Sequence, residues 1–283
     1  MGLTKFTAQS GILSIYSSRY AGTLIMQAPS VVVTGGASGI GAAVCRQVVD
    51  SGGYVAILDL DLDAAEALRA ELGMRAYASR ANVLDEADLT ATHRILAKEL
   101  PPINGLVNCA GIAQVPKPIE EYPTEDWARV VDSHLKGTYI SCRVFGAAMA
   151  LRASGAIVNV ASVLSFRPGP VLAYGPAKAA VVNLTEALAV HWANRGVRVN
   201  AVAPGWTDTP FLKPKERAGE RDITPILRAT PLGRLMKPQE IANVIHFLLS
   251  PASSAIIGAT IPCDGGVIAG SGWAPYGGFP GVG

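Results

Sequence analysis

From residue 30 onward, seven short β-branched runs alternate with segments of helical periodicity, and this alternation restricts the fold more than any other feature of the chain. The predicted strands are Val31–Gly35, Tyr54–Asp59, Arg75–Ala78, Gly105–Asn108, Ala156–Ala161, Val197–Ala203 and Ala259–Pro262. The predicted helices are Ile40–Ser51, Leu62–Leu72, Glu86–Glu99, Thr124–Leu151, Val171–Asn194 and Pro238–Leu249. A run such as Val31-Val32-Val33, with no polar alternation, reads as a strand covered on both faces. Strict strand–helix alternation predicts parallel strands joined by right-handed crossovers. The expected fold class is therefore α/β, a doubly wound parallel seven-stranded sheet with helices on both faces. With 283 residues, 49% apolar and 16% charged, the chain suits one domain of this kind.

Three stretches fall outside the rhythm. Residues 1–29 contain no acid, two basic residues and many Ser and Thr, a weak likeness to an organelle transit peptide. Met26 stands just before the first strand and would serve as a start, so 1–29 reads as an extension, poorly packed or an upstream-start artefact. The proline-marked polar stretch 204–234 has the length of a lid within the expected domain of 30–268. The tail 269–283 mixes glycine with Trp273, Tyr276 and Phe279, and reads either as a subunit contact or as a frayed end.

The turn Thr34-Gly35-Gly36-Ala37-Ser38-Gly39-Ile40-Gly41 joins the first strand to the first helix. Amides at a helix N-terminus lack partners and the dipole there is positive, so a pyrophosphate placed on them satisfies both. Glycine removes the side chains that would block it. Asp59 closes the second strand, 18 residues after Gly41, where a carboxylate accepts adenosine ribose hydroxyls and repels a 2′-phosphate. Position 38 is Ser rather than Arg or Lys, so NAD is expected over NADP. The competing readings of Asp59 are a solvated loop acid or a cap for the helix starting near Asp61.

Tyr174 and Lys178 lie four residues apart, on one helical face. A phenol ionises near 10, too high for proton transfer at neutral pH, and a fixed cation favours the phenolate. A shift of two or three pKa units takes roughly 3–4 kcal/mol, within reach of Lys178 and a charged nicotinamide ring acting together. Ser162 follows the buried run "GAIVNVA", at the carboxyl end of a strand where open α/β sheets place their ligands. Its hydroxyl can donate to a substrate oxygen as charge develops there; the bland alternative is a capping serine.

Together these residues resemble the short-chain dehydrogenase/reductase family, over residues 30 to about 268. Gly35, Ser38, Gly39, Ile40 and Gly41 match its Rossmann-type cofactor turn, and Asn108-Cys109-Ala110-Gly111 its N-N-A-G element with Cys for the second Asn. Ser162, Tyr174 and Lys178 match its catalytic set; Pro204, Gly205, Thr207 and Thr209 match the segment at the nicotinamide end, and Asp264-Gly265-Gly266 the close of the last strand. The resemblance implies an NAD-dependent oxidoreductase that interconverts a secondary alcohol and its ketone. Tyr174 would be general acid or base, Lys178 would bind the nicotinamide ribose, Ser162 would hold the substrate oxygen, Asp59 and Leu60 would meet the adenosine ribose, and Asn82-Val83 the adenine. One departure is His134, in "His134-Leu135-Lys136-Gly137", where the family has an Asn that supports a proton relay. Two readings stay open: the imidazole takes over that role, or its backbone carbonyl carries the relay.

The expected substrate pocket is walled by Gln114, Leu164, Trp206 and Phe211, with Leu212 and the cations Lys213, Lys215 and Arg217 nearby, which favours an apolar, carbocyclic or aromatic alcohol and leaves sugars and acyl thioesters as open alternatives. Net charge is +2 without a long basic run, so no nucleic-acid partner is expected, and no stretch of about 20 apolar residues predicts a membrane span. Cys45, Cys109, Cys142 and Cys263 are scattered and the four histidines lack metal-ligand spacing, pointing to reduced thiols in a cytoplasmic protein, or a mitochondrial one, with no metal. Small residues such as Gly146, Ala147, Ala148, Ala179 and Ala180 suit close subunit contacts, in line with the dimer or tetramer that the resemblance suggests. The rival class is a nucleotide-binding regulator of the same fold without chemistry.

Overall fold

The computed structural model describes residues 28–212, 222–273 and 278–279. Seven parallel strands form one sheet: β1 (Ser30–Thr34), β2 (Tyr54–Asp59), β3 (Ala76–Arg80), β4 (Gly105–Asn108), β5 (Gly155–Val160), β6 (Val197–Pro204) and β7 (Thr260–Cys263), in the order β3-β2-β1-β4-β5-β6-β7. Helices α1 (Gly39–Asp50), α2 (Leu62–Leu72) and α3 (Glu86–Glu99) make the early crossovers. Each predicted strand is present, displaced by at most two residues at an end.

Alternate residues of β1 serve two different cores, which is why its sequence shows no polar alternation. Val31 and Val33 pack with Val44, Val48 and Ile57, while Val32 packs on the opposite face with Leu58, Leu89, Phe145 and Trp192. The first face is closed by α1 and by α9 (Pro238–Leu249), which contributes Ile241, Ile245 and Leu248.

The helix predicted over 124–151 is continuous but wound in five pieces: α4 (Thr124–Val131), a π turn over Asp132–Lys136, α5 (Gly137–Ser141), a π turn over Cys142–Gly146, and α6 (Ala147–Leu151). Each π turn inserts extra backbone into the helical repeat, and such insertions concentrate at functional sites. His134 sits in the first of them. Helix α7 (Tyr174–Trp192) begins three residues later than the predicted Val171, so Tyr174 is its first residue. Gly146 is buried, and a Cβ there would come within 2.7 Å of the Trp192 ring; its small size serves packing inside the chain, not a subunit contact.

The lid range includes a short helix α8 (Thr224–Arg228), while Lys213, Lys215 and Arg217 lie outside the described residues, as do 1–27 of the N-terminal extension and Tyr276 of the tail. After helix α10 (Val267–Gly270), Phe279 folds back to stack near Trp273, with ring centroids 6.2 Å apart. No helix among the described residues is long and apolar enough to cross a membrane.

Arg198 on β6 fastens the far end of α9, because its guanidinium donates to the carbonyls of Leu248, Leu249, Ser250 and Ser253 at 2.9–3.4 Å. The last carbonyls of a helix have no partner within it. Arg198→Met is expected to leave these oxygens without their donor, costing about 1–3 kcal/mol and lowering the melting temperature by roughly 3–10 °C for a chain of this size. A melting temperature within 1 °C of the parent would show that Arg198 does not carry this end of the helix.

Candidate active site

The order of the sheet reverses at β1, which pairs with β2 on one side and β4 on the other, and a cleft of about 940 Å³ opens at the carboxyl ends of the strands there. At one end the chain turns from β1 into α1. Gly35 has φ +63°, and a Cβ on it would sit 2.8 Å from the Ala110 backbone; one on Gly41 would strike the Gly35 carbonyl oxygen at 2.1 Å. Ser38, the N-cap of α1, makes no side-chain cap hydrogen bond, and the first turn holds no acid. These amides are therefore uncommitted, and Gly39, Ile40 and Gly41 line the cleft. That arrangement suits a phosphate.

Asp59 also lines the cleft, at the carboxyl end of β2. Its Oδ2 accepts from the Ala37 amide at 3.0 Å and Oδ1 from the Asp61 amide at 3.2 Å, tying the glycine turn to the end of β2. The cap of α2 is Asp61, which accepts from the Ala64 amide, so Asp59 is not the cap. Its remaining lone pairs are available to ribose hydroxyls.

At the other end, Ser162 follows β5, Tyr174 opens α7 and Lys178 lies one turn further on. Ser162 is buried, and its hydroxyl accepts from the Leu164 amide at 3.1 Å, so it does cap the turn Val163–Ser165 while still lining the cleft. Lys178 is 4% exposed; its Nζ donates to the Val160 carbonyl at 2.5 Å and lies 5.7 Å from the centre of the Tyr174 ring. The Tyr174 ring stands edge-on to the His134 imidazole at 4.9 Å and tilted to Phe211 at 5.7 Å.

Among the chain's own groups, burial dominates the electrostatics of this pair. Burial pushes the Tyr174 phenol up to about 12, with hydrogen bonding to Ser162 opposing, and pushes Lys178 down to about 8, with Cys109 opposing. The protein's own groups thus raise the phenol rather than lower it, because desolvation outweighs the hydrogen bond with Ser162. Burial likewise takes His134 down to about 3, helped by the Lys178 charge.

His134 is neutral at neutral pH, and its roles can be assigned. Nε2 lies 2.9 Å from the Ile112 carbonyl, which only accepts, so Nε2 carries the hydrogen and Nδ1 is an acceptor. Nδ1 is buried with no protein donor among the described residues. The ring rests on Gly111, where a Cβ would fall 2.0 Å from Cε1. The His134 carbonyl accepts from the Thr138 hydroxyl at 2.6 Å.

Of the predicted site residues, Asn108 alone fails to line the cleft. It is buried beneath it, donating to Asn159 Oδ1 at 2.8 Å and to Cys142 Sγ at 3.3 Å, because Nδ2 finds those acceptors on the neighbouring strand and helix. Gln114 does line the cleft, but its Oε1 accepts from the Ala173 and Tyr174 amides at 3.0 and 2.9 Å, a contact the sequence reading missed. Also missed were Cys109 and the wall Pro168–Val171. The wall was readable in principle, since it lies within the eleven residues that join Ser162 to Tyr174.

Comparison with known proteins agrees with this geometry. The family described as enoyl-(acyl carrier protein) reductase matches residues 35–268. The chain is 41% identical over 244 residues to cis-4-hydroxycyclohexanecarboxylate dehydrogenase of Sinomonas cyclohexanicum, covering 84% of this chain and 96% of that one. It is 41% identical over 242 residues to galactitol 2-dehydrogenase (L-tagatose-forming) of Cereibacter sphaeroides, covering 83% and 92%. A further relative, an uncharacterized short-chain type dehydrogenase/reductase of Sinorhizobium fredii, is 38% identical over 238 residues, and the match spans 43% of its length. Among solved structures, 3-ketoacyl-(acyl-carrier-protein) reductase from Brucella melitensis complexed with NADH superposes with a TM-score of 0.79 at 31% identity, covering 86% of this chain and 99% of that one.

Proposed function

The chain belongs to the short-chain dehydrogenase/reductase family of oxidoreductases, and from that premise we propose that residues 30–268 form one catalytic domain that interconverts a secondary alcohol and its ketone with NAD. The observation that carries the proposal is the meeting of Tyr174, Lys178 and Ser162 in one cleft with an uncapped, acid-free helix N-terminus at its far end. A bound nicotinamide supplies the hydride acceptor and, when oxidised, a positive ring charge.

The chain's own residues do the rest. Ser162 donates to the reacting oxygen, holding it beside the phenol. In oxidation, Tyr174 Oη takes the proton from the alcohol oxygen while the carbinol hydrogen leaves with its electron pair; in reduction Oη returns the proton. Lys178 spends one N–H on Val160 and keeps two for the nicotinamide ribose. His134 stays neutral and offers Nδ1 only as an acceptor, so it holds a donor in place and does not exchange protons itself. The walls Leu164, Trp206 and Phe211 favour a carbocyclic alcohol, and the hydroxycyclohexane substrate in one relative's name supports that class. A second relative's name, galactitol, makes a polyol the second class to assay.

Absorbance of reduced nicotinamide, followed with NAD and a panel of cyclohexanols and polyols, tests the proposal. Binding of NAD without turnover of any alcohol or ketone would favour the regulator reading. The cofactor preference rests on Asp59: Asp59→Ala is expected to lower the NAD-over-NADP ratio of kcat/KM by about 10–100-fold, the worth of one or two charge-assisted hydrogen bonds plus lost repulsion of a 2′-phosphate. An unchanged ratio in a folded variant would remove Asp59 from cofactor selection.

A further inference from the structure

Helix α7 begins at the proposed proton-transfer residue itself, so whatever holds its first turn also holds the phenol. The N-cap position is Ala173, which has no side-chain acceptor, and no cap bond comes from it. The first amides of a helix have no partner within it. Here two of them, Ala173 and Tyr174, both donate to the single oxygen of Gln114, reached from a loop 59 and 60 residues earlier in the chain. The same loop carries Ile112, whose carbonyl fixes His134.

The two bonds also settle the orientation of the carboxamide. Both partners are N–H donors, so the atom facing the helix is the oxygen and the NH₂ lies on the other side. That nitrogen has no protein partner among the described residues, and Gln114 lines the cleft.

We propose that Gln114 is a positioning residue that clamps Tyr174 through its carbonyl and presents its amide nitrogen to a second oxygen on the substrate, beyond the one that reacts. The substrate class narrows accordingly, to a secondary alcohol bearing a further hydroxyl or carbonyl acceptor. This second half rests on the dehydrogenase reading; the clamp does not.

Two variants separate the halves. Gln114→Leu removes acceptor and donor together. Gln114→Glu keeps an acceptor for both amides, at a helix terminus that favours an anion, but loses the NH₂. Hydrogen exchange at the Ala173 and Tyr174 amides is expected to accelerate about tenfold in Gln114→Leu, the worth of one lost hydrogen bond, and to stay at the parent rate in Gln114→Glu. The rate constant kcat should fall about 10–100-fold in Gln114→Leu, as for a misplaced reacting group, and be rescued to within about threefold by Gln114→Glu. In the rescued variant KM for 4-methoxycyclohexanol, whose second oxygen can only accept, should rise about 3–10-fold more than KM for cyclohexanol. A purely structural glutamine would give no such split. Unchanged exchange in Gln114→Leu overturns the clamp, and equal KM changes for the two alcohols overturn the donor. A parent protein that oxidises neither alcohol overturns the donor half along with the dehydrogenase reading, while exchange still judges the clamp.

Discussion

Tyr174→Phe is expected to lower kcat/KM for secondary-alcohol oxidation by about 10²–10⁴-fold, the range for losing a positioned general acid–base group, while NADH still binds with a dissociation constant within about twofold of the parent. The substitution removes one oxygen and keeps the ring, so the edge-on contact with His134 and the stacking with Phe211 survive. The large effect follows from what remains. His134 is held near 3 and cannot take the proton at neutral pH, Lys178 is committed to the Val160 carbonyl, and Ser162 has no base beside it to remove its own proton. Among the described residues no other group at that end of the cleft can do the work of the phenol. Its pKa of about 12 in the protein's own field also means that its ionisation depends on added positive charge nearby. Steady-state rates with a fluorescence titration of NADH decide the matter. A variant rate within tenfold of the parent, with cofactor binding intact, would mean that the proton leaves by another route.

The strands were legible because burial on both faces writes a signal that needs no partner to interpret: Val31 to Val33, or Val55 to Leu58, can hardly be anything else. Ser162 and Asp59 followed from the same logic, since the carboxyl edge of a parallel sheet is where such side chains meet a ligand. What stayed hidden depends on contacts distant in the chain. The π turn that carries His134 differs from a regular helix by one inserted residue, too little to alter an apolar pattern over five positions. The carboxamide of Gln114 and the first turn of α7 meet across roughly sixty residues, and nothing in either segment announces the other. Asn108 matched a cofactor motif by type and position, yet its side chain turns under the sheet edge to Asn159. Spacing on a helix likewise reveals that Lys178 neighbours Tyr174, but not how thoroughly both groups are stripped of water.

That desolvation makes a prediction about Lys178 in which stability and activity part company. The ammonium is buried and its pKa is pushed from 10.5 down to about 8, so holding it charged in the folded chain costs about 3 kcal/mol relative to water. Lys178→Met removes this cost but leaves the Val160 carbonyl without its donor, a loss of about 1–3 kcal/mol, so stability at pH 7 should change little. Activity should fall by about 10²-fold or more, because under the proposed function the nicotinamide ribose would lose two donors and the phenol its nearby cation. The sharper test is pH. Between about 8 and 10.5 the unfolded chain still binds the lysine proton and the folded chain has released it, so stability rises with pH through that window and the contribution is lost again as pH falls through 8. The parent should therefore gain about 3 kcal/mol over Lys178→Met between pH 7.5 and 10.5, read as the difference between their urea unfolding free energies, in which the other titrating groups cancel. A difference that stays flat across that range would mean that Lys178 keeps its proton in the folded chain. The buried ammonium would then be a stable part of the packing rather than a cation held at a cost for the chemistry of the cleft.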